Sequence, residues 1–268
     1  MKIGIVGCAG RMGQMLVREV LKTDGAELAG GTEPEGSPAI GRDLGALVGA
    51  DDAGVTVTDD PKALFQAADA VIDFTRPEPT MRHADLAAET GTALIIGTTG
   101  LSAEQEAEIG RLGEKTPIVL APNMSVGVNL LFALTQKVAA TLGIDYDVEI
   151  VEMHHRHKVD APSGTALGLG RAAAAGRGVA LDEAAVWARE GHTGPRKAGD
   201  IGFATLRGGD VVGDHTVVFA ADGERVELTH KASDRAVFAK GAVRAALWCD
   251  GRAPGKYSMF DVLGLSVD

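Results

Sequence analysis

The stretch Lys2-Ile3-Gly4-Ile5-Val6-Gly7-Cys8-Ala9-Gly10-Arg11-Met12-Gly13 decides how the chain is read. Residues 2–6 are a short apolar run closed by glycine, as a buried strand is. Residues 14–22 then place Met15, Leu16, Val20 and Leu21 at helical spacing, so the order is strand, glycine turn, helix. Glycines at such a turn let backbone approach a pyrophosphate, and the helix start offers unbonded N–H groups to its negative charge. The spacing is Gly7, Gly10, Gly13, which is G-x-x-G-x-x-G and not the usual G-x-G-x-x-G. Its place between strand and helix is what favours dinucleotide binding over a turn that serves packing alone. Residues 26–31 read as a second strand, and Glu33 falls about 20 residues beyond Gly13, where a dinucleotide fold keeps its ribose-binding acid. Glu33 suits both hydroxyls of a ribose and repels a 2′-phosphate, while Pro34 adds no compensating charge. The pair favours NADH, with Arg11 placed for a phosphate contact.

Outward from this unit, residues 70–74, 93–96 and 117–121 are further short apolar runs, separated by helical patterns at 61–68, 79–90 and 102–115. Alternating strands and helices imply a parallel, doubly wound sheet of Rossmann type. Each run ends in small or polar residues: Thr75-Arg76, Gly97-Thr98-Thr99 and Pro122-Asn123-Met124-Ser125. Ligands of such sheets bind beyond the carboxyl ends of the strands, so these endings are expected to line one crevice. The Gly/Pro-rich piece 36–53 reads as a long surface loop before a brief strand at 55–57.

After an apolar helix at 127–142 the pattern changes to longer, partly alternating strands at 147–153, 202–207, 211–220 and 224–232, the last three joined by glycine turns. The expected architecture is α/β: a dinucleotide-binding domain over 1–125 and 235–268, and a central α+β substrate and oligomerisation domain with a mixed sheet over 126–234. An amphipathic helix at 235–248 and the tail 256–263 return to the first domain.

The chain has 268 residues, a formal charge of −11 and a pI near 5.1, which disfavours a nucleic-acid surface. Cys8 and Cys249 build no disulfide framework and no C-x-x-C pair, and a reducing, cytoplasmic setting fits. No run of about 18 uninterrupted apolar residues proposes a membrane span. Cys8 reads as a small filler beside the glycine loop.

Against this acidic background His154-His155-Arg156-His157-Lys158-Val159-Asp160-Ala161-Pro162-Ser163-Gly164-Thr165 gathers positive charge and then opens a helix. Adjacent histidines on an extended segment face opposite ways, which disfavours zinc. Ser163 lacks a G-x-S-x-G elbow, which disfavours a serine hydrolase. An anionic substrate site with an acid catalyst remains, the helix start taking a carboxylate, weighed against a plain solvated basic patch.

Taken together, Gly7 to Gly13, Asp73-Phe74-Thr75-Arg76-Pro77-Glu78, Gly97-Thr98-Thr99-Gly100, the His154 to Thr165 run, Arg189-Glu190-Gly191-His192-Thr193-Gly194 and His230-Lys231-Ala232-Ser233 resemble the 4-hydroxy-tetrahydrodipicolinate reductase (dihydrodipicolinate reductase) family, in order along the whole chain. The resemblance implies a cytoplasmic homotetramer that transfers hydride from NADH or NADPH to a cyclic, unsaturated dicarboxylate in diaminopimelate and lysine biosynthesis. It implies His154 and Lys158 as the catalytic pair, and His155, Ser163, Gly164 and Thr165 as substrate contacts. Cofactor contacts implied are Gly7, Cys8, Ala9, Gly10, Arg11, Met12, Glu33, Gly97, Thr98, Thr99, Ala121, Pro122, Asn123 and Met124. Many members carry arginine where this chain has Pro34, a departure that bears on NADPH use. Arg156 and His157 are expected to position the loop. Neither nucleic acid nor membrane nor metal is expected as a partner. The alternatives are another Rossmann oxidoreductase acting on a small dicarboxylate, or a non-catalytic nucleotide sensor. A semialdehyde dehydrogenase would need a cysteine in the central domain, and none occurs there.

Overall fold

The structure, a computed structural model, describes residues 1–266. The chain divides into two units, Met1–Val126 with Ala236–Gly264, and Gly127–Arg235 with Leu265 and Ser266. The first holds β1 (Lys2–Val6), α1 (Arg11–Val20), β2 (Glu27–Thr32), α2 (Leu44–Leu47), β3 (Val57–Thr58), α3 (Pro61–Ala67), β4 (Ala70–Asp73), α4 (Pro77–Thr90), β5 (Ala93–Ile96), α5 (Ala103–Leu112) and β6 (Pro117–Leu120). Helix α6 (Val126–Leu142) follows, then β7 (Asp147–His154), α7 (Gly164–Gly176), α8 (Leu181–Ala184), β8 (Ala185–Val186), β9 (Ile201–Arg207), β10 (Gly213–Ala221) and β11 (Glu224–Ala232) in the second. The chain closes with α9 (Ala236–Trp248), β12 (Gly255–Tyr257) and α10 (Met259–Leu263).

The seven strands of the first unit run parallel in the order β12-β6-β5-β4-β1-β2-β3. Both faces are covered, which explains why β4 and β5 are apolar at nearly every position. One face packs Leu16 and Val17 of α1 with Ala242 and Val243 of α9, and the other packs Leu64, Ala84 and Ile109 of α3, α4 and α5. The order reverses between β1 and β4, the switch point beside which such sheets bind ligands. As the sequence predicts, the tail joins this sheet, β12 alongside β6.

Two local readings are corrected. Residues 36–53 are not all loop: Asp43 caps α2 and accepts N–H bonds from Gly45, Ala46, Ala53 and Val55, so one carboxylate organises the excursion. The strand expected at 55–57 is the two-residue β3.

In the second unit a mixed sheet runs β11-β10-β7-β9-β8, with β7 antiparallel to β10 and parallel to β9. Helix α7 lies in its core, where Ala166, Leu169 and Ala173 meet Ile150, Phe203 and Phe219. The segment Val126–Asp145, comprising α6 and the turn after it, is long and apolar enough to cross a membrane, with hydropathy 1.3. Uninterrupted runs miss it because Asn129, Gln136 and Lys137 break the pattern. Its Leu131 and Ala139 belong to the second core, while Leu130 and Leu134 on the same helix are exposed.

Candidate active site

In the first unit the turn after β1 is built by its glycines. Gly7 has φ 70°, a left-handed conformation that glycine adopts without strain. A Cβ on Gly13 would lie 2.1 Å from the Gly7 carbonyl and 2.6 Å from Cys8 Cα, so only glycine lets α1 start this close to the turn. No side chain caps α1 at Gly10, and the first-turn N–H groups of a helix have no acceptor within it.

A crevice of ≈ 980 Å³ opens there, lined by Gly7, Gly10, Glu33, Pro34, Thr75 and Arg76 among others. The glycine cradle, the uncapped helix start and the acid at the end of β2 fit a pyridine dinucleotide. Glu33 Oε1 accepts the Ala9 N–H at 2.7 Å, so the acid at the end of β2 is held against the glycine loop. Beside it the crevice carries Asp59, Glu78 and Asp85 as well, and Arg82, which it also contains, is paired to Glu78 at 2.9 Å.

The cofactor residues inferred from sequence fall into different surroundings. Gly7, Gly10 and Glu33 line the crevice; Arg11 is exposed at the first turn of α1, Ala9 and Met12 are half-buried, and Thr99 and Pro122 are exposed. Cys8 is fully buried with its sulfur toward Gly31, and burial, aided by Glu33, pushes its thiol up to about 12. It is an inert filler, and its backbone alone belongs to the loop. Gly97 lies on the Phe74 ring, Ala121 and Met124 are buried, and Asn123 Oδ1 accepts the Ser125 N–H at 2.8 Å.

Thr98 is buried in a polar cluster that sequence reading passes over. Asp73, fully buried at the end of β4, accepts from the Thr75 N–H (2.8 Å), the Thr75 hydroxyl (2.6 Å) and the Thr98 hydroxyl (3.2 Å), and its other oxygen meets His83 Nδ1 at 2.8 Å. Burial pushes this carboxyl up, but His83 and Thr75 outweigh it and hold it below its ordinary value. The cluster ties the ends of β4 and β5 together at the crevice.

In the second unit β7 runs one residue further than the alternation suggested, through His154. Alternate residues Val148, Ile150, Glu152 and His154 therefore point into the core. The His154 side chain is 11% exposed; its Nδ1 meets Glu152 Oε2 at 2.5 Å, and its ring stands edge-on to His215 at 5.1 Å. Arg207, opposite His154 on β9, grips Glu152 with two N–H bonds of 2.8 and 3.0 Å. His215, opposite Glu152 on β10, meets the Ser163 hydroxyl at 3.1 Å. Burial above all pushes His215 down to about 4, so it is neutral at pH 7.

The basic residues past β7 lie nearer the surface. The His155 and Arg156 N–H groups donate to the Val211 and Gly209 carbonyls, which pins the run to the β9–β10 turn. Lys158 Nζ donates to Asp160 at 2.8 Å. Half-buried His155 lies 3.3 Å from an Arg235 nitrogen, and burial followed by Arg235 and His157 pushes it below its ordinary value. Arg156 and His157 are exposed, the latter 6.2 Å from the His155 ring. Ser163 caps α7 through the Ala166 N–H, which leaves Gly164, with open space beside its Cα, and Thr165 at the helix start. Cations beside a helix N-terminus make an anion site.

A parallel dinucleotide-type sheet with its glycine cradle, joined in one chain to a unit that presents a basic anion site, defines a pyridine-nucleotide-dependent oxidoreductase. The chain belongs to the dihydrodipicolinate reductase family: the family's N-terminus matches residues 1–124 and its C-terminus residues 127–263. It is 58% identical to the 4-hydroxy-tetrahydrodipicolinate reductase of Ruegeria pomeroyi, over 98% of both chains. It is 54% identical to that of Brucella abortus, over 100% of both. Its fold matches the dipicolinate-bound dihydrodipicolinate reductase of Paenisporosarcina sp. TG-14 with a TM-score of 0.78 at 24% identity, covering 97% of this chain and 98% of that one.

Glu152, Arg207, His215, Arg235, Asp73 and His83 are the polar residues of these two sites that sequence reasoning did not single out for a role. Glu152 left a signal, two positions before His154 on a strand and hence on the same face, and Asp73 opens the family-like stretch 73–78.

Proposed function

We propose that the chain reduces 4-hydroxy-tetrahydrodipicolinate, by way of dihydrodipicolinate, to tetrahydrodipicolinate in diaminopimelate and lysine biosynthesis, with NADH as the preferred donor. The observation that carries the reading is the run of basic side chains, with Arg235 3.3 Å from His155 and Lys158 three residues further on, that leads into the start of α7. Such a site suits a substrate with two carboxylates. Relatives more than half identical over the full chain bear the same reductase name.

The nicotinamide supplies a hydride when bound. Hydride addition to a conjugated imine leaves an electron pair on the ring that a positioned acid must protonate. Lys158 carries that proton and a charge that draws the electron density; Asp160 holds its ammonium in place. His154 acts from behind as a relay, its Nδ1 committed to Glu152. His155, Gly164 and Thr165 grip the carboxylates while buried Ser163 holds the helix start from behind, and Gly7, Ala9, Gly10, Arg11, Met12, Gly97, Thr99, Pro122 and Asn123 cradle the cofactor. Glu33 with Asp59, Glu78 and Asp85 supports NADH, because a 2′-phosphate would meet four acids against Arg76 and the Glu78-paired Arg82.

Exposed Leu206 and Val226 on the strands of the second unit support assembly into a homotetramer, which sedimentation would report as about four times the 27.6 kDa chain. The two free, buried cysteines support a cytoplasmic setting. The test is oxidation of NADH and of NADPH, in parallel, on addition of freshly prepared substrate. Rapid NADH oxidation is expected; cofactor binding without oxidation would point to a sensor and refute the reading.

A further inference from the structure

Glu152 is 1% exposed, and each of its carboxylate oxygens accepts two hydrogen bonds. Oε1 takes the Ser163 N–H at 3.1 Å and Arg207 at 3.0 Å; Oε2 takes Arg207 at 2.8 Å and meets His154 Nδ1 at 2.5 Å. A buried carboxylate with every acceptor position used is rigid, because any movement breaks a bond that no water replaces. Its partners come from three places in the sequence. Arg207 is 55 positions away on β9, and Ser163 is the residue from which α7 starts. Around it stand His215 on β10, whose Nε2 meets the Ser163 hydroxyl, and Lys158 with Asp160 in the loop. His154 Nε2 is turned toward Gly213, where a Cβ would come within 3.0 Å of it.

We infer that Glu152 is a positioning residue for the reaction: it holds His154 as the Nδ1–H tautomer and, through the Ser163 N–H, fixes the start of α7, so that one carboxylate sets both the relay and the carboxylate grip. An ionised carboxylate only accepts, so the hydrogen of the contact belongs to His154 Nδ1, and Nε2 is the nitrogen left to act. Burial pushes the Glu152 carboxyl up, but Arg207 and His154 hold it below its ordinary value, which keeps it ionised at neutral pH. The inference rests on the reading that His154 and the α7 start serve the substrate.

The test compares Glu152→Gln, His154→Ala and the double variant in the tetrahydrodipicolinate-forming assay. A glutamine turned to keep the Ser163 bond presents its NH2 to His154 Nδ1 and to Arg207, which reverses the tautomer. Glu152→Gln is expected to lower kcat at least about tenfold, as a histidine in the wrong tautomer does, with NADH affinity unchanged. In the His154→Ala background the same change is expected to cost less than about threefold, since its target is gone. An equal loss in both backgrounds would make Glu152 merely structural and overturn the inference. Unchanged kcat in Glu152→Gln where His154→Ala is impaired also overturns it, whereas unchanged kcat in His154→Ala defeats the underlying reading of His154. Should Glu152→Gln fail to fold, nitrogen NMR of the unaltered enzyme decides: Nδ1–H on His154 is expected, and Nε2–H overturns the inference.

Discussion

Replacing Gly13 by alanine tests whether the glycine loop is a cradle or a simple turn. The added Cβ would lie 2.1 Å from the Gly7 carbonyl oxygen and 2.6 and 2.7 Å from Cys8 Cα and carbonyl carbon. All three are backbone atoms, so no side-chain rotation relieves the overlap. Bringing the shortest contact to an ordinary separation moves the loop by roughly 1 Å against α1, an overpacking change of about 1–3 kcal/mol. For a chain of this size that lowers Tm by about 3–10 °C. The N–H groups offered to the cofactor move with the loop, so NADH affinity is expected to fall at least about tenfold, or ~1.4 kcal/mol. Thermal unfolding and NADH titration by fluorescence measure both. Gly110→Ala is the companion variant. Its nearest neighbour would be Lys256 Cδ at 3.8 Å, and inside α5 the change gains up to about 1 kcal/mol of helix propensity. It is expected to raise Tm slightly with NADH affinity unchanged. A Gly13→Ala protein as stable and as tight-binding as its parent would refute the cradle.

Three further outcomes follow from the two sites. Lys158→Ala is expected to lower kcat by roughly 10²–10⁴ while NADH affinity stays within about twofold; parental turnover in steady-state kinetics would remove Lys158 from the acid role. Glu33→Gln keeps an acceptor for the Ala9 N–H and removes the charge, so kcat/KM for NADPH is expected to rise about tenfold relative to NADH. An unchanged ratio would show that the acid does not set the preference. His215 is neutral in the folded protein down to about pH 4, whereas in the unfolded chain it takes up a proton near 6.5. Stability from this group is therefore complete above 6.5 and is lost as pH falls from there toward 4, by about 3 kcal/mol in all. His215→Gln is expected to flatten that part of the denaturation profile; an acid limb of unchanged slope would contradict it.

The parallel sheet was legible because its strands are buried on both faces, so 70–73, 93–96 and 117–120 stand out as apolar runs between helical patterns. The tail's return was legible from its pattern and its family likeness, and β12 lies beside β6 accordingly. The Asp43 hub and the short α8 and β8 were not legible, since four-residue helices and two-residue strands are shorter than any period that marks them. The extended run was legible through His154, but not that His154 lies on the buried face of β7.

What the sequence determined on its own is the order of strands and helices, the glycine cradle with its acid, and the concentration of histidine and lysine before a helix start. All of these are local, set by spacing within about twenty residues. What only the tertiary structure decided is which of those side chains are buried and what they hold. Alternation puts Glu152 and His154 on one face, but it does not say which face the helices cover. Nor does it bring Arg207 and His215 opposite them. That depends on the register of β9 and β10 against β7, fixed by packing of segments more than fifty residues apart.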